Sequence, residues 1–355
     1  MKIAIMVSGV TGRGGMETVI SSVVNEFNIS TNEDIKIFVM GGSDDKRWLD
    51  KIEKRNYEII NSKSSNKIAK YLESAVSTST KLKKYNPDII LAADEKAIFY
   101  SKIMSRLMRK RPKVGSWIHF SLTSIKPLYK KIIASADFHL AISSGIREQL
   151  IELGINSKSK VHLIYNPINI GSIMLERPEI ETHFVYVGRL IYNGQKRVND
   201  LLQALSQVKG EWKLTIIGDG KDKDQLIEQA EALKINDKII WGGWKEEPWK
   251  YINKASVLVL TSEYEGFGMV LVEAMSRGIP CISSDCPVGP SDIIHDNENG
   301  WLYPIGDLVT LSNLLNEIVN GSRVLPSKIQ VKESVEKFDT KIFINNLNKI
   351  LRSEI

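Results

Sequence analysis

Apolar and polar positions follow a regular order along this chain: a short apolar run, a polar loop, and then a helical pattern. After the first run, for example, Val19, Val23, Val24 and Phe27 recur at the spacing of one helix face. Strands that alternate with helices form a parallel sheet covered on both faces. In the first half of the chain the runs that predict strands are residues 2–7, 35–40, 88–93, 114–120 and 138–142.

The same order begins again after Y-N-P-I-N, residues 165–169. This segment is typical of a linker, because Pro167 lacks a backbone donor and restricts the residue before it. We therefore predict an α/β protein with two doubly wound, Rossmann-like domains, residues 1–167 and 168–337, facing an interdomain ligand cleft. A last helix, within about 338–355, is expected to pack back on the first domain. The further strands are predicted at 183–187, 213–217, 238–241, 257–260 and 280–283.

The composition is that of a soluble globular protein, with 43% hydrophobic and 25% charged residues. No apolar run reaches the roughly 18 residues of a membrane span. The first residues, M-K-I-A-I-M-V-S-G, predict a strand and not an export signal, so we expect a cytoplasmic protein. Cys281 and Cys286 are too few for a disulfide framework or a zinc site and are expected to be packing residues.

Positive charge is concentrated in the first half of the chain. Residues 1–166 hold 27 Lys and Arg against 16 Asp and Glu, although the net charge of the whole chain is only +6. Between Lys96 and Ala136 there are ten basic residues and no acid. Part of this segment has apolar residues at helical spacing, with a basic cluster among and after them: Lys102, Arg106, Arg109, Lys110, Arg111 and Lys113.

Two interpretations of this basic segment remain open. It is either a solvated helix face or a surface that lies on an anionic membrane, where each Lys or Arg contributes on the order of 1 kcal/mol. Nucleic acid is a weaker candidate, because no recognition module accompanies the charge. We expect no nucleic-acid partner.

A glycine loop follows the first strand. Gly12, Gly14 and Gly15 let the backbone approach a ligand, and the next helix directs its first N–H groups toward an anion. The loop is not G-x-G-x-x-G, and the second strand ends in Val39, Met40, Gly41 and Gly42 without the acid that binds a ribose in dinucleotide sites. These departures argue against an NAD enzyme.

The second half carries candidate phosphate ligands. V-G-R-L, residues 187–190, ends a strand, and Lys196 and Arg197 follow in a loop with Gly194. Cations at strand ends suit a diphosphate, because guanidinium gives paired hydrogen bonds and ammonium a compact charge. The alternative is an ordinary surface turn.

Two acids bracket another turn. E-G-F-G-M-V-L-V-E, residues 265–273, begins just after a predicted strand, and its glycines turn the chain into a helix that starts near Met269. Glu273 then lies one turn into the helix and leans toward its start. Because a carboxylate accepts two hydrogen bonds, Glu265 and Glu273 suit the vicinal hydroxyls of a sugar. Either glutamate alone is better explained as a helix-surface charge, but the two together favour the sugar ligands.

Together these motifs resemble a known family. E-x7-E with E-G-F-G, the G-R-L strand end, the G-G-M-E loop and the repeated α/β halves are similar to the retaining GT-B glycosyltransferases of family four. The stretches G-G-M-E-T-V-I, I-H-F-S-L, H-L-A-I-S-S-G-I, G-Q-K-R-V and G-I-P-C-I-S-S-D-C look like those of the bacterial lipopolysaccharide 1,6-galactosyltransferases. The resemblance covers essentially the whole chain. It implies UDP-galactose as donor and a glucosyl residue of the lipopolysaccharide core as acceptor.

The resemblance also implies roles for particular residues. Glu273 becomes the ribose ligand, Glu265 and His119 donor-sugar contacts, and Arg189 with Lys196 the diphosphate clamp. Where the family usually has lysine and glycine, this chain has Lys196 and Arg197, so the sequence does not decide how the two cations share the diphosphate. A core role is the alternative for His119, and helix capping is the alternative for Asp94. The remaining implied donor contacts are Gly15, Gly266, Phe267, Gly268 and Met269, and the acceptor candidates are Gly14, Glu17 and Asp94.

The implied reaction is transfer with retention, without a bound cofactor or metal. No residue stands out as a nucleophile for double displacement, which favours front-face attack with the diphosphate taking the acceptor proton. Asp222 and Asp224 form the only Asp-x-Asp and are interpreted as helix-start acids. Arg189 and Lys196 then supply the charge that magnesium supplies elsewhere.

A lipid-anchored acceptor implies a peripheral protein on the cytoplasmic face of the inner membrane. Three alternatives remain open: a transferase that uses UDP-glucose or another UDP-hexose in cell-surface polysaccharide synthesis, a UDP-sugar epimerase, and a nucleotide-sugar binding protein without activity.

Overall fold

The computed structural model describes residues 1–12, 14–61, 66–123, 125–155 and 160–355. The chain divides into two compact units, one made of Met1–Asn169 with Phe338–Ile355, the other of Ile170–Lys337. The sequence placed this division two residues earlier, after residue 167. Each unit contains one parallel sheet flanked by helices, which confirms the predicted fold class.

The first unit is built on a sheet in the order β3-β2-β1-β4-β5-β6-β7, in which all neighbours are parallel. Its strands are β1 (Lys2–Val10), β2 (Asp34–Ser43), β3 (Tyr57–Ile60), β4 (Ile89–Ala92), β5 (Lys113–Ile118), β6 (Phe138–Ala141) and β7 (Val161–Leu163). The helices between them are α1 (Gly15–Ser30), α2 (Lys67–Tyr85), α3 (Glu95–Leu107), α4 (Pro127–Ala134) and α5 (Ser144–Glu152). Central strands β1, β4, β5 and β6 are almost wholly buried, as the apolar runs predicted.

The second unit repeats this plan in the order β10-β9-β8-β11-β12-β13. Its strands are β8 (Thr182–Val187), β9 (Trp212–Ile217), β10 (Ile239–Gly243), β11 (Val257–Leu260), β12 (Cys281–Ser284) and β13 (Gly300–Tyr303). Its helices are α6 (Val198–Ser206), α7 (Lys223–Ala232), α8 (Met269–Met275), α9 (Pro290–Ile293), α10 (Leu308–Val319) and α11 (Lys328–Glu333). Cys281 and Cys286 are buried free thiols.

A final helix, α12 (Thr340–Ser353), belongs to the first unit and packs on α1. Its buried face includes Phe343, whose ring stacks on Trp117 of β5 with centroids 6.0 Å apart. Just after the helix, Glu354 accepts hydrogen bonds from His162 Nε2 at 2.9 Å and from Lys113 Nζ at 3.3 Å. Apolar burial and these charged contacts together fix the chain end to the first sheet.

His139 is a buried titratable group in the middle of this sheet. It lies on β6, its Nδ1 pairs with Ser116 Oγ of β5 at 2.7 Å, and no described residue pairs with its Nε2. Burial lowers the pKa of His139 to about 4. The unfolded chain, with an ordinary histidine, therefore binds the proton first as the pH falls. The stabilisation that neutral His139 provides is complete above about pH 6.5 and is lost progressively toward pH 4.

We expect a His139→Gln variant to lose less stability in acid than the parent protein. At about 1.4 kcal/mol per pH unit, titration of one buried histidine lowers the free energy of unfolding by roughly 2 kcal/mol between pH 6.5 and 5. Urea unfolding followed by circular dichroism at pH 7 and pH 5 measures the difference. The exposed His295 gives the control variant His295→Gln, which should follow the parent. Identical acid sensitivity of His139→Gln and the parent would show that His139 contributes nothing.

Candidate functional site

Backbone loops meet closely where the strands of the second unit end. The Leu190 amide after β8 donates to the carbonyl of Asp219 after β9 at 3.0 Å. A Cβ on Gly218 would lie 1.8 Å from the Gly188 carbonyl oxygen, so only glycine allows this approach. The loop therefore presents Arg189, the middle residue of G-R-L, with its side chain exposed.

Gln195 connects two of these loops. Its Oε1 accepts from Arg189 Nη2 at 2.7 Å, and its backbone carbonyl accepts from the Glu263 amide at 2.9 Å. A longer bond joins Gln195 Nε2 to the Tyr264 carbonyl at 3.4 Å. Gln195 thus orients the guanidinium toward the loop that carries Glu265. Gln195 lies beside Lys196 in G-Q-K-R-V, but its residue type and spacing did not predict this role.

Lys196 and Glu265, expected to bind the diphosphate and the sugar, form an ion pair with each other. Lys196 Nζ lies 2.6 Å from Glu265 Oε1, and the two side chains are only 13% and 11% exposed. Ser262 Oγ donates to the same carboxylate oxygen at 2.6 Å. Since both charges are largely removed from water, each stabilises the other strongly.

Arg197 points to other partners. Its Nε donates to Asp200 at 2.7 Å, and Nη1 lies 3.8 Å from Glu263. The hydrogen bond to Asp200 raises the pKa of Arg197 above its ordinary value. Its backbone is left-handed, with φ of 44°, at the start of α6. Of the two adjacent cations, only Lys196 pairs with Glu265.

The turn between the two glutamates matches its predicted form. Gly268 has φ of 96° and is followed by α8, which begins at Met269 as predicted. Phe267 is buried, and its carbonyl lies so close to Gly289 that a Cβ there would approach to 2.2 Å. Gly266, with no side chain of its own, links this buried anchor to Glu265. The turn is thereby fixed between two packed loops.

Glu273 is held by a residue that the sequence analysis missed. Trp249 Nε1 donates to Glu273 Oε2 at 2.9 Å, and the carboxylate is only partly exposed. Burial raises the pKa of Glu273, while the Trp249 hydrogen bond acts in the opposite direction. Trp249 lies in a short 3₁₀ helix, Pro248–Tyr251, distant from Glu273 along the chain, and its residue type alone gave no signal of this contact.

His119 follows β5 directly. Both ring nitrogens are buried, and neither has a hydrogen-bond partner in the part of the chain that the structure describes. The Trp117 ring packs against it at 4.8 Å. Burial lowers the pKa of His119 to about 3, so the imidazole is neutral at physiological pH. An unpaired buried donor and acceptor carries a free-energy cost that a hydroxyl ligand can relieve.

In the glycine loop of the first unit, the Glu17 side chain bonds back to the loop backbone. Gly14 precedes α1 and Gly15 is its first residue, and a Cβ on Gly15 would meet no atom within 4 Å. Glu17 turns back and accepts from the Gly12 amide at 2.9 Å. Glu17, a candidate contact for the acceptor substrate, therefore stabilises the conformation of the loop.

Asp94 is the other acidic residue predicted to contact the acceptor substrate, and it caps a helix. Its Oδ1 accepts from the Ala97 amide at 2.9 Å at the start of α3, and its Oδ2 accepts from the Ser8 amide of β1 at 2.8 Å. Both carboxylate oxygens are thus used by backbone donors. This is the alternative role that the sequence analysis gave for Asp94.

The basic segment has more internal partners than its sequence suggests. Lys102 pairs with Asp137 at 2.6 Å, Lys113 with Glu354 at 3.3 Å, and Lys110 with Asp88. The three acids lie outside the acid-free stretch, so local charge counting did not reveal them. Arg106, Arg109 and Arg111 are exposed and pair with no acid among the described residues, whereas Lys110 and Lys113 are exposed but paired.

Helix α3, which carries Arg106 and ends just before Arg109 and Arg111, also exposes apolar side chains. Phe99, Ile103 and Leu107 are 56%, 43% and 63% exposed, and their spacing of four residues places them on one helix face. The neighbouring α4 exposes Leu128 at 66%. No helix among the described residues is long and apolar enough to cross a membrane.

Within the described residues no group of three or more His, Cys, Asp and Glu side chains is placed to hold a metal ion. Asp222 stands at the start of α7 and accepts from the Tyr192 amide at 3.0 Å. Asp224 lies in the first turn of that helix, where an acid is favourable. Both positions are as predicted for helix-start acids.

Known proteins resemble this chain over its full length. Residues 13–171 match the family described as Glycosyltransferase Family 4, and residues 174–336 match Glycosyl transferases group 1. The chain is 39% identical to the lipopolysaccharide 1,6-galactosyltransferase of Escherichia coli (strain K12), over 100% of this chain and 99% of the relative. Identity to the Salmonella typhimurium enzyme of that name is 38%, with the same coverage. The solved apo structure of the lipopolysaccharide outer core galactosyltransferase WaaB matches with a TM-score of 0.86, at 37% identity and 100% coverage of both chains.

We expect the Lys196–Glu265 pair to be strongly coupled in the free protein. Lys196→Met leaves a largely buried carboxylate without its cation, and Glu265→Gln does the converse, whereas the double variant removes both charges. Unfolding free energies from chemical denaturation of the four proteins should give a coupling of about 1–3 kcal/mol.

The exposed Lys213–Glu181 pair in the same unit, at 2.9 Å, is the matched control. Its double-mutant cycle should give less than about 1 kcal/mol. If the Lys196–Glu265 cycle were equally weak, the ion pair would not be a fixed feature of the site.

Proposed function

This chain belongs to the family 4 glycosyltransferases, and on that premise we propose that it transfers galactose from UDP-galactose to a glucosyl residue of the lipopolysaccharide core. The new bond is an α-1,6 linkage formed with retention at the sugar carbon. The names of the relatives that match over the full chain support transfer of galactose to lipopolysaccharide. The ion pair of Lys196 with Glu265 is the observation that carries the proposal, because it joins a phosphate ligand to a sugar ligand.

In this proposal the donor replaces a contact that the protein makes with itself. The diphosphate binds the ammonium of Lys196 and the exposed guanidinium of Arg189. Glu265 then accepts hydrogen bonds from the galactose hydroxyls while Ser262 keeps its carboxylate in place. Because Ser262 already holds the Glu265 carboxylate, the main rearrangement on binding is the movement of the Lys196 ammonium from Glu265 to the diphosphate.

The chemical step is substitution at the anomeric carbon on the face from which the diphosphate leaves. The acceptor 6-hydroxyl oxygen forms the new bond to that carbon, the bond from the carbon to the β-phosphate oxygen breaks, and the hydroxyl proton passes to the departing UDP. Arg189 and Lys196 stabilise the charge that develops on the diphosphate, without a metal ion. Neutral His119 binds a galactose hydroxyl, and Gly15 leaves space for the phosphates.

Transfer assays with purified protein test the activity. We expect galactose to pass from UDP-galactose to a core acceptor that ends in glucose, with an α-linkage by NMR and an unchanged rate in EDTA. Lys196→Ala should lower turnover by about 10²–10³, the usual loss for one group that stabilises developing charge. Lys213→Ala, which removes an exposed lysine of the same unit, is the control.

The same assay separates the alternatives. Faster transfer from UDP-glucose than from UDP-galactose would show that UDP-glucose is the donor. Formation of a new UDP-hexose without acceptor would identify an epimerase. Binding of UDP without transfer to any acceptor would leave a nucleotide-sugar binding protein. Normal turnover by Lys196→Ala would show that Lys196 does not stabilise the departing diphosphate.

A lipid-anchored acceptor also requires that the enzyme reach a membrane. We propose that the first unit lies on the cytoplasmic face of the inner membrane through α3, with Phe99, Ile103 and Leu107 against the lipid and Arg106, Arg109 and Arg111 at the anionic head groups. The exposed apolar face and the arginines beside it support this surface. Because Lys102, Lys110 and Lys113 already pair with acids of the protein, we expect each of the three arginines to contribute more to the attraction than each of these lysines.

Vesicle sedimentation tests this surface. With about 1 kcal/mol per cation near an anionic surface, replacing the three arginines by serine should weaken partition into anionic vesicles by roughly 100-fold. Ile103→Ser should also weaken it, whereas Ile180→Ser, a change at an apolar side chain of the second unit that is 95% exposed, should not. Equal binding of the parent to neutral and anionic vesicles would exclude the electrostatic mechanism.

A further inference from the structure

Trp249, Arg277 and Glu273, the residue predicted to bind the ribose, contact one another in the second unit. The indole N–H of Trp249 donates to Glu273 Oε2 at 2.9 Å. The guanidinium of Arg277 lies over the Trp249 ring at 4.9 Å. Arg277 Nη1 also donates to the backbone carbonyl of Glu273 at 2.7 Å. Trp249 is therefore held on one side by the carboxylate and on its face by the cation.

We propose that Trp249 is a positioning residue for nucleotide binding, which fixes the Glu273 carboxylate so that one oxygen is held by the protein and the other is left for the ribose hydroxyls. This inference rests on the proposed function, because it requires a UDP-sugar donor. Trp249 itself acts only through Glu273.

The two carboxylate oxygens are in different situations. Oε2 accepts the indole N–H, whereas no described residue donates to Oε1. Glu273 lies on α8, where its side chain leans toward the start of the helix at Met269. A free carboxylate can rotate between several orientations, and a bond to one oxygen selects one of them. The hydroxyls of a ribose then meet an acceptor that is already oriented.

A tryptophan suits this task chemically. The indole N–H is a donor only, so it cannot compete with the sugar for hydroxyl protons. Contact with Arg277 restricts rotation of the large ring, and such cation–π contacts stabilise an aromatic side chain in one orientation. Phenylalanine would keep the ring and its contact with Arg277 but would remove the donor.

The hydrogen bond also favours the ionised acid. Burial raises the pKa of Glu273, and the bonds from Trp249 and the charge of Arg277 lower it. Among the described residues, Arg277 is the charged group that acts on the Glu273 carboxylate. Without the indole donor the carboxyl takes up a proton at higher pH, and a protonated carboxyl is a poorer acceptor for hydroxyls. Loss of the donor should therefore matter more at pH 6 than at pH 8.

Calorimetry with UDP and with 2′,3′-dideoxy-UDP tests the proposal on the whole protein. The parent should prefer UDP, because only UDP offers ribose hydroxyls to Glu273. In Trp249→Phe we expect this preference to shrink roughly tenfold, the usual effect of one hydrogen bond to a charged group, and more strongly at pH 6. In transfer assays the same variant should raise KM for the donor more than it lowers kcat, because the ribose is remote from the reacting bond.

Trp301→Phe is the matched control. Trp301 Nε1 donates to Asn297 Oδ1 at 3.0 Å in the same unit, so the substitution removes an equivalent indole bond away from Glu273. It should leave the preference for UDP unchanged. Trp249→His, which keeps a ring N–H, should retain more of the preference than Trp249→Phe and carries the test if the phenylalanine variant does not fold.

Glu273→Gln distinguishes the possible failures. If it abolishes the preference for UDP while Trp249→Phe and Trp249→His keep all of it, the positioning role is wrong and the proposed function stands. If the preference survives in Glu273→Gln as well, Glu273 does not bind the ribose, and that part of the proposed function falls together with this inference. A reduced preference in both Trp249→Phe and Glu273→Gln supports the positioning role.

Discussion

The contact between Lys196 and Glu265 depends on the parallel order of the second sheet. In such a sheet the carboxyl ends of neighbouring strands meet at one edge, so that loops far apart in sequence lie side by side. Lys196 follows β8 and Glu265 follows β11, and these strands are neighbours. The resulting ion pair, 2.6 Å long and mostly shielded from water, holds two opposite charges at this edge of the sheet.

Glycine is what allows this edge to be so compact. A side chain at Gly218 would overlap the Gly188 carbonyl, and one at Gly289 would overlap that of Phe267. The first contact fixes the loop of Arg189, and the second fixes the turn between Glu265 and Glu273. Rigid backbone, rather than a long network of side chains, therefore sets the positions of the candidate ligands.

The sequence predicts the buried parts of this fold well and the exposed parts poorly. Central strands such as β4, fully buried on both faces, appear as continuous apolar runs. The edge strands β3 and β7 were missed because they are short and only partly buried. The missed strand β13 is an exception, because it is an edge strand that is largely buried. The turn before α8 was predicted because a glycine with positive φ is required there. Long-range partners such as Trp249 for Glu273, or Asp137 for Lys102, have no signature in local spacing.

The neighbours Lys196 and Arg197 show how backbone conformation separates two similar charges. In G-Q-K-R-V they stand side by side, and the sequence cannot divide a diphosphate between them. The left-handed backbone of Arg197 starts α6 and directs its guanidinium to Asp200, a largely buried acid that holds it at 2.7 Å. Moving Arg197 to a phosphate would leave the Asp200 carboxylate uncompensated, which is costly in a buried setting. Glu265, the partner of Lys196, has a second donor in Ser262. In the proposed mechanism this difference leaves Lys196 to bind the diphosphate with Arg189, whereas Arg197 fixes the start of α6.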